Sequence, residues 1–276
     1  MSTVEERRYS LGHTTAEYER LRAQARVWEA ATSRLLDAVA LPRGAACLDA
    51  ACGPGETMRL MAERVGAAGR VTGIDLDAAL GEMVVEGLHA DGYHQCRFHA
   101  HDLTANAAIA GAPFDLVYAR LILYHLPQRV EVLGRLWDAV APGGCLVVQD
   151  YDIRTVSVLP SLDSVDEIGR VLIDGFGAAG CDVSIGVRLP QLFAEVGAGE
   201  PDGTDVAGRL EPLATGRMIL ERTFRSLLPV AIAHGITTDE QAAETLEALD
   251  RDAERFPDRP LLWPLMIGAW KRRDVA

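Results

Sequence analysis

A short run of small residues and an aspartate well downstream of it carry the strongest chemical signal in the chain. The run is Leu48-Asp49-Ala50-Ala51-Cys52-Gly53-Pro54-Gly55. Small residues at Ala51, Gly53 and Gly55 let the backbone approach a ligand closely. A turn of that kind at the carboxyl edge of a parallel sheet is where open α/β folds bind their ligands. Asp75 follows Gly53 by about 20 residues, the reach at which an acid meets ribose hydroxyls. Together these residues describe a nucleoside site.

Two other nucleotide sites are disfavoured. A dinucleotide fingerprint needs a third small residue at position 58, where the chain has Met58. Glu56, beside the start of the following helix, would also repel a pyrophosphate. A phosphate loop fails because no Gly-Lys-Ser/Thr follows the glycines.

The elements that must position these residues follow from the apolar pattern. AACLDAA (45–51), RVTGID (70–75), CRFHAH (96–101), FDLVYA (114–119) and CLVVQDY (145–151) read as buried strands, apolar on both faces. ETMRLMAERVG, DAALGEMVVEGLHADG and QRVEVLGRLWDAVAPGG between them have helical spacing. Strands alternating with helices of this length predict βαβ units and an α/β, Rossmann-like, doubly wound, mostly parallel sheet of seven strands.

Residues 14–40 carry a helical period through Tyr18, Leu21, Val27, Trp28, Ala31 and Leu35. Gln24 projects from that apolar face and needs a hydrogen-bond partner there. After Tyr151 the alternation weakens. SLDSVDEIGRVLIDGFGAAG and LPQLFAEVGA read as helices, TDVAGRLEP as a sixth strand, and ATGRMILERTFRSLLPVAIAHG with TTDEQAAETLEALDRDAERF as two further helices. PLLWPLMIGAWKRR reads as a closing strand. The expected organisation is an N-terminal helical segment (1–40), a core (41–152), and the rest of the sheet with a helical cap inserted between late strands (153–276).

Composition narrows the partners. The 276 residues are 49% hydrophobic and 24% charged, ordinary for a globular chain. Acids outnumber bases 40 to 27, giving a net charge of -13, and neutralising a phosphate backbone takes Lys and Arg. Nucleic acid is therefore not the expected partner. MSTVEERRYSLGH lacks a secretory apolar run, and no stretch is long and apolar enough to span a membrane, so a cytoplasmic location is expected. The five cysteines have no metal-ligand spacing and read as reduced, mostly buried thiols.

The stretch Asp49-Ala50-Ala51-Cys52-Gly53-Pro54-Gly55 resembles the first motif, D-x-G-x-G-x-G, of the class I S-adenosylmethionine-dependent methyltransferases. It departs in Ala51, a mild change if φ is negative there. The resemblance continues in order through VTGIDLD (71–77), HDL (101–103), FDLVYARLILYHL (114–126) and LWDAVAPGGCLVVQD (136–150), covering roughly residues 40–152. It implies S-adenosylmethionine as cofactor. Asp75 would hold the ribose hydroxyls and Leu76 would pack on the adenine. Asp102 would accept from the adenine amino group, and Leu103 would donate its N–H to the ring. The carbonyls of Ala51 and Ala119 would take the methionyl ammonium, with Asp49 in support and Gly53 in the loop beneath. The N-terminal segment Tyr9-Ser10-Leu11-Gly12, Glu17 to Leu21 and Gln24 is similar to natural-product methyltransferases that C-methylate indoles. On that likeness the segment covers the cofactor, Gln24 meets its carboxylate, and Tyr9 and Tyr18 wall the acceptor pocket.

Methyl transfer is a direct displacement, so the chain must hold the acceptor atom about 3 Å from the methyl carbon and exclude water. His125 is the first candidate for a base, with Tyr124 as a wall; the competing reading of His125 is a cap on the next helix. Arg120 and Tyr151 are the further acceptor-side candidates. No metal is expected, since Asp150 and Asp152 alone make a thin ligand set. Phe176, Met218, Leu220, Phe224, Leu227, Leu228 and Trp263 read as core or as pocket wall, and a pocket of such residues suits a small aromatic or apolar acceptor. C-methylation of an indole in secondary metabolism is the favoured reaction. O- or N-methylation of another small molecule and a non-catalytic binding protein stay open. An RNA or protein substrate would call for a basic rim or an Asn/Asp-Pro-Pro-Tyr loop, where the chain reads Ala119-Arg120-Leu121-Ile122. The amphipathic N-terminal helix could also be exchanged between subunits of a homo-oligomer.

Overall fold

The structure, a computed structural model, describes residue 22 and residues 25–275. The elements run α1 (Glu29–Ala38), β1 (Ala46–Ala50), α2 (Glu56–Val65), β2 (Arg70–Asp75), α3 (Ala78–Ala90), β3 (Cys96–Ala100) and β4 (Phe114–Arg120). They continue with α4 (Arg129–Asp138), β5 (Val140–Asp152), β6 (Ser157–Val158), α5 (Asp163–Ala178), α6 (Ile185–Glu195) and β7 (Gly203–Ala207). Last come β8 (Leu210–Pro212), α7 (Leu213–Ala233), α8 (Asp239–Arg255), β9 (Pro260–Leu262) and β10 (Leu265–Arg272). Seven strands form one mostly parallel sheet in the order β3-β2-β1-β4-β5-β10-β7, and β6-β9-β8 form a second, three-stranded one. This is the doubly wound α/β architecture that the alternation predicts.

The chain divides into two compact units. Of the described residues, the first comprises those up to Ala119, Leu136–Leu146 and those from Arg272 on. Its strands β1, β2 and β4 are buried nearly throughout, as parallel strands covered on both faces must be. β1 pairs in parallel with β2 and with β4, and β2 with β3. Their registers place Ala50 opposite Ile74 and Ala119, and Asp75 opposite Ala100. The carboxyl ends of the four strands therefore finish level along one edge. β3 departs from the expected two-sided burial: it is the outermost strand, and Arg97, His99 and Ala100 are exposed on it.

The second unit comprises Arg120–Arg135 and Val147–Lys271. Helices α5, α7 and α8 share a core that includes Ile168, Val171, Phe224, Leu227 and Leu249, closed over the small sheet by Val158 and Leu261. Thr238 and Gln241 form a capping box that starts α8.

Three expected elements are corrected. TDVAGRLEP is two strands, β7 and β8, in different sheets. PLLWPLMIGAWKRR likewise divides into β9 and β10 at Trp263-Pro264, because proline has no N–H with which to continue a ladder. The helix expected over 128–144 stops at Asp138, and Ala141 to Gly144 belong to β5, where Gly143 donates to Arg273 O and Arg273 to Gly144 O. Among the described residues no helix is long and apolar enough to cross a membrane.

Candidate active site

The loop after β1 is built from left-handed backbone. Ala51 has φ 59°, Gly53 46° and Gly55 78°. A negative φ at Ala51, the condition under which its departure from glycine is mild, is therefore not what the chain adopts. Holding an alanine there costs about 1 kcal/mol. A Cβ at Gly53 would meet nothing within 4 Å, so this peptide borders open space. At Gly55 a Cβ would lie 2.3 Å from Val84 Cγ1 of α3, so both conformation and packing require glycine there. Gly55 also caps α2 without a side-chain hydrogen bond, leaving the helix N-terminus to other partners.

Around this loop the same sheet edge gathers the aspartates. Asp75 is half-buried; its Oδ2 accepts the Gly53 N–H at 2.9 Å and its Oδ1 the Asp77 N–H at 3.3 Å. A carboxylate offers about four lone-pair sites, so capacity for two more donors remains. Leu76, next in the chain, is 70% exposed at this rim. Asp102 Oδ1 accepts both the Thr104 hydroxyl and its N–H at 2.7 Å, and these bonds hold the carboxyl below its usual range. Leu103 and Ala119 are buried, and Asp49 is buried in β1 between Gly73 and Tyr118. Burial and the Asp49 charge push up the thiol pKa values of Cys52 and Cys96. Asp49, Ala51, Gly53, Asp75, Leu76, Asp102, Leu103 and Ala119 all belong to the first unit.

Glu56 does not act as the bare anion assumed in the argument against a pyrophosphate. It is 4% exposed, with Arg22 Nε at 2.9 Å and Arg26 Nε at 3.3 Å from Oε1, and Arg59 Nε at 3.0 Å from Oε2. Burial alone would raise its pKa, but the hydrogen bonds from Arg22 and Arg59 prevail and hold it low. Arg59 also reaches Glu29 and Glu63. The case against a dinucleotide thus rests on position 58. Met58 is fully buried, and its sulfur occupies the space that a Cβ on Gly73 of β2 would need.

The acceptor-side candidates Arg120, Tyr124, His125 and Tyr151 belong to the second unit. Arg120 is half-buried at the end of β4, and Leu123–His125 form one 3-10 turn. Asp150, fully buried, is the anchor of that turn. It accepts the Tyr124 N–H on Oδ2 at 3.2 Å, the Tyr151 N–H on Oδ1 at 2.9 Å, and the Leu123 N–H. Burial pushes its pKa up to about 7 against these donors. An acid ending an apolar strand signals this anchor in the sequence, but its partners do not. Tyr124 lies against His125 with ring centroids 3.6 Å apart and the rings tilted by 37°, and meets Phe176 edge-on at 6.1 Å. Burial brings the His125 pKa down to about 4, and its Nδ1 lies 3.9 Å from Cys181 Sγ. Tyr151 packs, half-buried, against the helical core.

Of the residues read as either core or wall, Leu220, Phe224 and Leu227 are core, and Phe176 and Leu228 pack against it. Met218 is 51% exposed, and Trp263 is buried under the Arg209 guanidinium. Asp152 is engaged by Arg154 through a bidentate ion pair. Among the described residues no group of three or more His, Cys, Asp or Glu is placed to hold a metal ion. Tyr9, Tyr18 and Gln24 lie outside the described residues.

Residues 47–144 match the family model of a methyltransferase domain. Trans-aconitate 2-methyltransferase of Variovorax paradoxus is 38% identical over 120 residues, 44% of this chain and 44% of that protein. The chain thus spans less than half the length of that relative. Methyltransferase GfsG of Streptomyces halstedii is 24% identical over 221 residues, 78% of this chain and 73% of GfsG. In fold, the chain is similar to a SAM-dependent methyltransferase from Aquifex aeolicus, with a TM-score of 0.54, 12% identity and coverage of 97% of this chain and 100% of that one. Residues 47–144 are thus similar to methyltransferase domains, and the fold is one that solved methyltransferases share.

Proposed function

We propose that the protein transfers the methyl group of S-adenosylmethionine to a small acceptor that is largely apolar or aromatic, with an indole carbon as the favoured target. The observation that carries the reading is the level finish of β1, β2, β3 and β4, which lines up the Ala51 to Gly55 turn, Asp75, Leu76 and Asp102 along one edge. Bound there, S-adenosylmethionine supplies an electrophilic methyl on a sulfonium. The residues present suit it. Asp75 has capacity for two ribose hydroxyls, exposed Leu76 offers an apolar face to adenine, and Asp102 accepts from the adenine amino group. Leu103 gives a backbone N–H to the ring, and the Ala51 and Ala119 carbonyls with buried Asp49 take the ammonium.

On the acceptor side, Tyr124 and Tyr151 provide aromatic surface that Asp150 holds in place. With its pKa near 4, His125 is neutral at neutral pH and suits wall or hydrogen-bonding duty better than proton abstraction. A second reading, methylation of a small carboxylic acid, is favoured by half-buried Arg120 and by the relative named for trans-aconitate. Methyl-labelled S-adenosylmethionine, offered with a panel of indoles, other aromatics and small di- and tricarboxylates, separates the two by product mass. Binding of S-adenosylhomocysteine without any labelled product across the panel would favour a non-catalytic binding protein. No binding at millimolar ligand would overturn the cofactor assignment.

A further inference from the structure

Arg22 and Arg26 lie upstream of α1, and both donate through Nε to the same oxygen, Oε1, of Glu56. Glu56 is the first residue of α2 and directly follows Gly55 of the nucleoside loop. Arg59, one turn further along, takes the other oxygen. A surface carboxylate paired this way would contribute little. Glu56 is 4% exposed, and removing one partner of a buried, hydrogen-bonded group leaves the others uncompensated. The three arginines are unequal: Arg22 and Arg59 are 19% and 16% exposed and Arg26 is 53% exposed, so the first two carry most of the bond. Nothing in the cofactor chemistry calls for an acid at position 56. Its geometry instead joins two parts of the chain that are 30 or more residues apart, the segment bearing Arg22 and Arg26 and the turn bearing Gly53 and Gly55.

We infer that Glu56 is a positioning residue, a clasp that fastens Arg22 and Arg26, and through Arg26 the lead-in to α1, to the cofactor loop, so that binding at the loop and order over residues 25–38 are coupled. The inference rests on the cofactor reading above. It does not require that Glu56 touch the ligand.

Amide exchange over residues 25–38 and calorimetry with S-adenosylhomocysteine, on the full chain, test it together. Glu56→Gln should speed exchange in that segment by about tenfold and weaken S-adenosylhomocysteine by about tenfold. In turnover, KM for S-adenosylmethionine should rise while kcat at saturation changes by less than about twofold. Glu63→Gln, which removes an exposed partner of Arg59, should alter none of these. If Glu56→Gln does not fold, the double variant Arg22→Gln, Arg26→Gln carries the same readouts. Unchanged exchange would overturn the clasp, and faster exchange with unchanged affinity would overturn the coupling. An unaltered protein that binds no S-adenosylhomocysteine would count against the cofactor reading instead, and the exchange data alone would then decide the clasp.

Discussion

The backbone N–H of Gly53 points at Oδ2 of Asp75, 2.9 Å away, so the residue proposed to hold the ribose also holds the loop that faces it. Replacing Asp75 by alanine removes both the acceptor for Gly53 and the acceptor for the ligand. Affinity for S-adenosylhomocysteine should fall by about tenfold to a hundredfold, the range for lost hydrogen bonds to a charged group. Asp75→Asn should fall less, since its carbonyl oxygen can still accept from Gly53. Calorimetry on the two variants checks the order.

Ala51 bears a conformational cost that glycine would relieve, at φ 59°. Part of the gain is offset by the greater freedom of glycine in the unfolded chain. Ala51→Gly should therefore stabilise the fold by up to about 1 kcal/mol, and Ala51→Val should destabilise it by more than that. Urea denaturation monitored by circular dichroism measures both.

Asp150 gives stability an unusual slope. Its pKa is near 7 in the folded chain against 3.8 unfolded, so the native state keeps a proton that the unfolded state has lost. Its contribution is full below about pH 4 and disappears as pH rises through about 7, at roughly 1 kcal/mol per pH unit within that window. Asp150→Asn should flatten this part of the profile. Its amide must also set an N–H against one of the backbone donors, so the turn at Tyr124 should loosen and kcat should fall.

His125 slopes the other way. Its folded pKa near 4 lies below the 6.5 of the free side chain, so its contribution is present above about pH 6.5 and is lost as pH falls toward 4. The two residues oppose each other between pH 4 and 7, which is why single-variant differences, rather than the wild-type curve, are the measurement. In kinetics, His125→Asn should leave the shape of kcat/KM between pH 6 and 8 unchanged. A limb near pH 6.5 that vanished in this variant would restore His125 as the base.

Much of the first unit was legible because its signals are local. The first two βα repeats each pair a run buried on both faces with a helix, and Asp75 closes the second of them; Asp102 follows β3, the edge strand. The misread parts depend on distant partners. β7 and β8 look like one strand because only their neighbours in space, β10 and β9, separate them. Glu56 looked like a repulsive charge because its arginines come from as far as 34 residues away. Asp150 looked like no more than half of a thin metal-ligand set because the sequence does not show that the Tyr124 N–H folds back onto it. The sign of φ at Ala51 is set by the loop as a whole, and residue type alone would have favoured the opposite.

Gly73 and Met58 form a pair whose sizes are exchanged relative to a dinucleotide fold. There a glycine on the helix lets helix and strand approach; here the strand yields, and the helix fills the notch with a thioether. Cys52 Sγ lies 2.8 Å from the same Cβ position, so the notch is shared by three residues. A larger residue at 73 would be tolerated only alongside smaller ones at 58 and 52, and homologous chains should keep the combined volume of the three more faithfully than any one of them.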